Sequence, residues 1–199
     1  ELGAVSLVMS NHPVNERAWY DPYYNPLWEE AVRLNTPLGF HGIQNAYQQH
    51  LARRFIDNFV MAHACGHPVE QMLAMGSMLT GGGFERFPGL RAAFLEASCS
   101  WVPSWLWNLD ERVKKFADEG QFSLKRSPTE TFNQQCWVAC LPDETVLKHV
   151  IPAIGDDRIV ISTDWPHDDS CYPKAVETFL GLEDVSEDSK RKILWDNCS

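Results

Sequence analysis

The sequence predicts an α/β fold built on a parallel sheet, and three observations lead there. Five short apolar runs alternate with longer segments whose apolar residues recur at helical spacing. No tight hairpin turn joins one run to the next, so the strands need crossover connections. The last run, residues 159–162, is apolar almost throughout and is followed at once by Asp164-Trp-Pro-His167. That is how a strand covered on both faces reads, with chemistry placed just past its C-terminal end.

Taken in order, residues 4–9 (AVSLVM) form the first strand, and Asn11-His12-Pro13 begins an irregular loop to residue 26. A helix over 26–35 puts Leu27, Trp28, Ala31 and Val32 on one face, and Pro37 closes it. Residues 37–41 (PLGFH) are the second strand. Residues 44–60 read as a polar-faced helix. His67-Pro68 opens another, with Val69, Met72, Leu73 and Leu79 on its apolar side, stopped by Gly81-Gly82-Gly83. The third strand, 91–97, carries Glu96 near its end. A helix over 103–117 buries Trp105, Leu106, Leu109, Val113 and Phe116, and 118–131 is a polar loop. The fourth strand is 135–140, and Asp143 caps a helix running to Ile154. After the fifth strand come two helices, the last opened by Ser186 with Glu187 and Asp188 in its first turn.

Composition narrows the function. With 199 residues and 44% hydrophobic content, the chain suits one domain with a sizeable core. A net charge of −10 argues against a nucleic-acid or anionic-membrane surface. No apolar run approaches the ~20 residues of a membrane span, and the first residues lack a signal-peptide pattern. The six cysteines are scattered without a Cys-x-x-Cys pair, as in a reduced, cytoplasmic protein. No Gly-x-Gly-x-x-Gly or Walker loop follows a strand, which weighs against a nucleotide-binding doubly wound sheet.

Three strands end in a group able to do chemistry: His41, Glu96 and Asp164. In a closed β/α barrel such ends converge on one mouth. His41 and Asp164 offer a nitrogen and an oxygen to a divalent ion, zinc being the expected one. Taken singly, each residue also fits a structural role, a hydrogen-bonded imidazole or a capping carboxylate. His12 and His63 are further imidazoles, and Trp101, Trp105 and Trp107 suit helix packing.

The run Gly83-Phe-Glu-Arg-Phe-Pro-Gly-Leu-Arg-Ala-Ala-Phe-Leu-Glu96, followed by Trp101-Val-Pro and Leu109-Asp110, resembles the amidohydrolase-related family in its aminocarboxymuconate-semialdehyde decarboxylase-like branch. So do Tyr24-Asn-Pro-Leu-Trp28 leading into Pro37-Leu-Gly-Phe-His-Gly42, and Gly155-Asp-Asp-Arg-Ile-Val-Ile-Ser-Thr-Asp-Trp-Pro-His167 with Lys192-Ile-Leu-Trp-Asp-Asn197. The resemblance implies that residues 1–199 are the C-terminal part of one metal-dependent TIM-barrel domain, strands four to eight of a (β/α)8 barrel. The strand bearing a His-x-His or Glu-x-His metal pair is then expected on an N-terminal part or a second chain, and self-association is the other way to close the barrel.

By the same resemblance His41 and Asp164 are metal ligands, and Asp164 also manages a proton. Glu96 stands where decarboxylase members carry a catalytic histidine, and it is expected to shuttle protons. His167 is expected to contact substrate or support the ligands. The implied activity is a metal-dependent hydrolase or carbon–carbon lyase acting on a small carboxylated or cyclic molecule. The competing expectation is a non-catalytic partial barrel that serves as a structural or partner-binding subunit.

Overall fold

In the computed structural model, which describes residues 3–13, 16–42, 55, 57–118 and 124–198, five parallel strands lie side by side in chain order. They are β1 (Leu7–Ser10), β2 (Leu38–His41), β3 (Ala92–Phe94), β4 (Cys136–Cys140) and β5 (Ile159–Ile161). The intervening helices are α1 (Asn25–Arg33), α2 (Phe59–Thr80), α3 (Gly83–Arg86), α4 (Val102–Lys115), α5 (Pro128–Gln135) and α6 (Leu147–Ile154). After β5 come α7 (Ala175–Leu180) and α8 (Glu187–Leu194). None of the described helices is long and apolar enough to cross a membrane, and the six cysteines form no disulfide.

Side-chain alternation along the strands gives the sheet two unlike faces. Leu38, Phe40, Ala92, Phe94, Cys136, Val138 and Ile159 are all buried, and they form the face that packs on the helices. Phe40 and Phe94 stack across neighbouring strands, ring centroids 5.3 Å apart. Trp19 packs edge-on against both Trp28 and Phe40. Fully burying one such side chain contributes roughly 1.5–3 kcal/mol, so this layer fixes the strand register. The opposite face holds Val8, Gly39, Ala93 and Trp137, joined in register, and Val160, which pairs with Ala139. Val8 on the β1 edge is 70% exposed, whereas Leu7 packs against the helical core.

Several local expectations are corrected. The helix expected to open at His67-Pro68 starts at Phe59, where the Asn58 side chain accepts from the Met61 amide, and Pro68 lies inside it. One lost rung is tolerable in a 22-residue helix anchored by Met75, Met78 and Leu79 in the core. The expected loop 118–131 contains the start of α5, where Ser127 and Glu130 form a reciprocal capping box. Asp143 does not cap α6, whose N-cap is Val146 without a side-chain bond. Phe116 and Trp107, expected in packing roles, are exposed. The expected helix over 44–60 falls mostly outside the described residues.

Candidate metal and proton-transfer site

His41 is the last residue of β2, and Glu96 lies two residues past β3. Asp164 and His167 sit on the segment after β5. All four are at the C-terminal end of the sheet. Neither carboxylate gets there by extending its strand, because Glu96 and Asp164 both have left-handed backbones, with φ of 56°. Non-glycine residues seldom adopt this conformation, and it recurs where side chains are re-aimed for function.

The four side chains form one connected cluster. The Nε2 of His41 meets Oε2 of Glu96. The other Glu96 oxygen lies 3.4 Å from Nδ1 of His167, and that nitrogen is 2.9 Å from Oδ1 of Asp164. Glu96, Asp164 and His167 each offer a donor atom within 4.8 Å of the others. The sequence paired His41 with Asp164; the structure links His41 to this trio through Glu96.

Tautomer logic matters at His41. Its Nδ1 is 2.6 Å from the Gly42 carbonyl oxygen, which can only accept, so Nδ1 carries a proton. Nε2 is then the switchable nitrogen: protonated, it donates to Glu96, and deprotonated, it offers a lone pair to a cation. The Glu96 hydrogen bond raises the His41 pKa against the opposing effect of burial. Burial pushes Glu96 up, but His41, with the charges of His67 and His167, brings it below the ordinary carboxylate value. Asp164 is raised, chiefly by burial. His167 is raised by its hydrogen bond to Asp164.

His41, Glu96 and His167 border a cavity of about 840 Å3, within the range of small-molecule sites, and Asp164 lines a smaller one that shares Glu96, His63 and His67. The far wall of the larger cavity comes from α2: Phe59, Val60, His63 and His67. The Phe59, His63 and His67 rings follow one another at 5.6 and 4.5 Å. The Nε2 of His63 is 3.5 Å from a carboxylate oxygen of Asp169, another lining residue. His12 instead bonds locally, its Nδ1 3.4 Å from Ser10 Oγ. Sequence reading did not single out His67, although its i, i+4 spacing from His63 on a helix was a usable signal. It also passed over Asn11, which is buried one residue past β1 with neither side-chain polar atom hydrogen-bonded among the described residues.

Comparison with known proteins agrees with this architecture. γ-Resorcylate decarboxylase of Polaromonas sp. (strain JS666) is 24% identical over 208 residues, spanning 99% of this chain and 61% of that protein. An amidohydrolase structure from Mycobacterium avium subsp. paratuberculosis K-10 superposes with a TM-score of 0.84 at 24% identity, covering 98% of this chain and 51% of that one. A dihydroxybenzoic acid decarboxylase from Polaromonas sp. JS666, solved with bound manganese and the inhibitor 2-nitroresorcinol, gives 0.74 at 24% identity, covering 100% and 60%. These structures are TIM barrels, of which the five parallel strands here correspond to a part. The chain thus spans between half and about three fifths of the length of these proteins. The family match extends over residues 1–198, and the chain belongs to the amidohydrolase family.

Proposed function

We propose that this chain carries most of the active site of a metal-dependent decarboxylase acting on a small carboxylated aromatic molecule. The observation that carries the reading is the convergence of His41, Glu96, Asp164 and His167 in one connected cluster, of which His41, Glu96 and His167 line the cavity. Two imidazoles and two carboxylates suit a divalent ion with nitrogen and oxygen preferences, manganese or zinc. His41, through the nitrogen left free by its Gly42 bond, and Asp164, through the oxygen His167 does not use, would hold it. A cation bound there supplies Lewis acidity that fixes and polarises an anionic substrate oxygen. The decarboxylase names of the curated relatives favour carbon–carbon cleavage over hydrolysis.

The chain's own residues account for the proton. When the carboxylate leaves as carbon dioxide, the bonding pair stays on the ring carbon, which must take up one proton. Glu96 and His167, 3.4 Å apart at the cavity surface, are the pair that delivers it. Phe59 and His63 offer flat surfaces to an aromatic ring.

We further propose that more strands, from a second polypeptide, a second copy or a longer form of the protein, pair with the β1 edge. Exposed Val5 and Val8 support this, because a bare apolar edge is an association surface. Six unbridged cysteines support a reducing, cytoplasmic setting.

The test is to load the protein, alone and with any such strands supplied, with manganese or zinc and measure carbon dioxide release from γ-resorcylate. Metal-dependent release in the completed protein is expected. Absence of both stoichiometric metal and turnover in every form would favour the structural-subunit reading instead.

A further inference from the structure

Helix α2 lines the cavity, and it also reaches under the strand ends that present the site. His67 and Gln71 stand one turn apart on it, and both are buried. Gln71 Nε2 donates to the Phe40 carbonyl at 2.7 Å and to the Leu95 carbonyl at 2.8 Å. Phe40 immediately precedes His41, and Leu95 immediately precedes Glu96. Both partners can only accept, so the amide must present its NH2 group to them.

The bridge sits where the sheet stops holding itself together. The Leu95 amide still donates to the Phe40 carbonyl at 2.9 Å. One residue later the Glu96 backbone turns left-handed and the ladder cannot continue. Gln71 supplies donors to the carbonyls at that point. Packing alone is a poor reason for an amide here. Gln71 is fully buried and its Oε1 has no hydrogen-bond partner among the described residues, a cost an apolar side chain of the same shape avoids.

We propose that Gln71 is a positioning residue whose carboxamide ties the end of β2 to the end of β3 and so holds the His41 imidazole against the Glu96 carboxylate. Its consequence for metal affinity rests on the reading of this cluster as a metal site. The close approach of His41 to Glu96 does not.

The experiment compares the parent with Gln71→Met, which keeps the length and loses both donors. The control is Ile193→Ala, a fully buried position on α8, to match any general loss of stability. The first readout is the His41 Nε2 proton resonance in the metal-free protein below neutral pH, identified by its loss in His41→Asn. It should vanish or broaden in Gln71→Met and persist in Ile193→Ala. The second is manganese titration, with binding about tenfold weaker in Gln71→Met and within about twofold of the parent in Ile193→Ala, a factor of ten corresponding to about 1.4 kcal/mol. If the resonance in Gln71→Met matches that of the control, Gln71 only packs, and the proposal is overturned. A parent that binds no manganese defeats the metal reading, while the resonance still decides the role of Gln71. If Gln71→Met does not fold, Gln71→Asn, too short to span both carbonyls, is read against the same control by the same resonance.

Discussion

Glu144 offers a perturbation whose size can be worked out from its contacts. Its carboxylate is 8% exposed and belongs to the loop after β4. One oxygen accepts from the Cys99 amide at 3.0 Å and the Ser100 amide at 2.8 Å, and the other accepts from the Leu141 amide at 3.1 Å. It therefore joins the loop carrying Glu96 to the loop after β4. Hydrogen bonds to a charged group contribute about 1.5–3 kcal/mol each, and an orphaned buried amide costs about 1–3 kcal/mol. Glu144→Ala strands three amides, an additive cost of about 3–9 kcal/mol, reduced because neighbouring terms do not add and water can enter the gap. A loss of about 3–5 kcal/mol is expected, a large part of a typical ~5–15 kcal/mol stability.

Glu144→Gln should fall between parent and alanine. Its amide oxygen can still serve Cys99 and Ser100, but its NH2 must then face the Leu141 amide, donor against donor. That change should cost about 1.5–3 kcal/mol. For a chain of this size each kcal/mol shifts Tm by about 2–4 °C, so the alanine variant should melt roughly 6–20 °C lower. Circular dichroism melts and urea titration measure this, and amide exchange should quicken at Cys99 and Ser100. Equal stability for the two variants, or a loss below ~1 kcal/mol in Glu144→Ala, would refute the clasp.

Three other outcomes are expected. Asp156 is pushed up by burial, but Ser189 and Lys192 hold it below its ordinary value. Its folded pKa is depressed, so its stabilisation is present above the unfolded value of about 3.9 and is lost as pH falls through the folded one. In urea midpoints measured from about pH 5 downward, Asp156→Asn should lose less stability than the parent; parallel curves would contradict this. Asp164→Asn should keep the fold, since asparagine tolerates the left-handed backbone at this position. It should weaken metal binding and reduce turnover by roughly 10²–10⁴-fold, and unchanged metal content with full activity would reduce Asp164 to a turn residue. Glu96→Gln should lower turnover comparably while bound metal stays near the parent level; loss of the metal as well would make Glu96 a ligand.

The sheet was legible because its strands are short apolar islands, and burial on the helical face needs little more than that pattern. Helix limits were less so. Proline at position 68 reads as a start signal, yet α2 runs through it because tertiary packing outweighs one missing rung. The opposite error occurred at Ser127-Pro-Thr-Glu130, where the capping signature was present in the sequence and passed over. Asp143 looks like a cap by residue type, but the neighbouring Glu144 binds three amides, two of them more than forty residues away in sequence. No local pattern encodes that partnership.

The site divides along the same line. His41 follows from alternation alone: Gly39 lies on the face away from the helices, so His41 does too. Glu96 does not. Ala92 and Phe94 face the helical core, and an extended strand would carry Glu96 to that side, a poor place for a carboxylate. The left-handed turn at Glu96 brings it instead to His41 and His167. A glycine or asparagine would have advertised such a turn; a glutamate does not. Two groups act on the chain beside that turn. Gln71 holds the peptide before it, and Glu144 grips the amides three and four residues on. The backbone conformation that forms the cluster is thus set by side chains from a helix and from another strand's loop, which is why the convergence could be expected from strand order but its wiring could not.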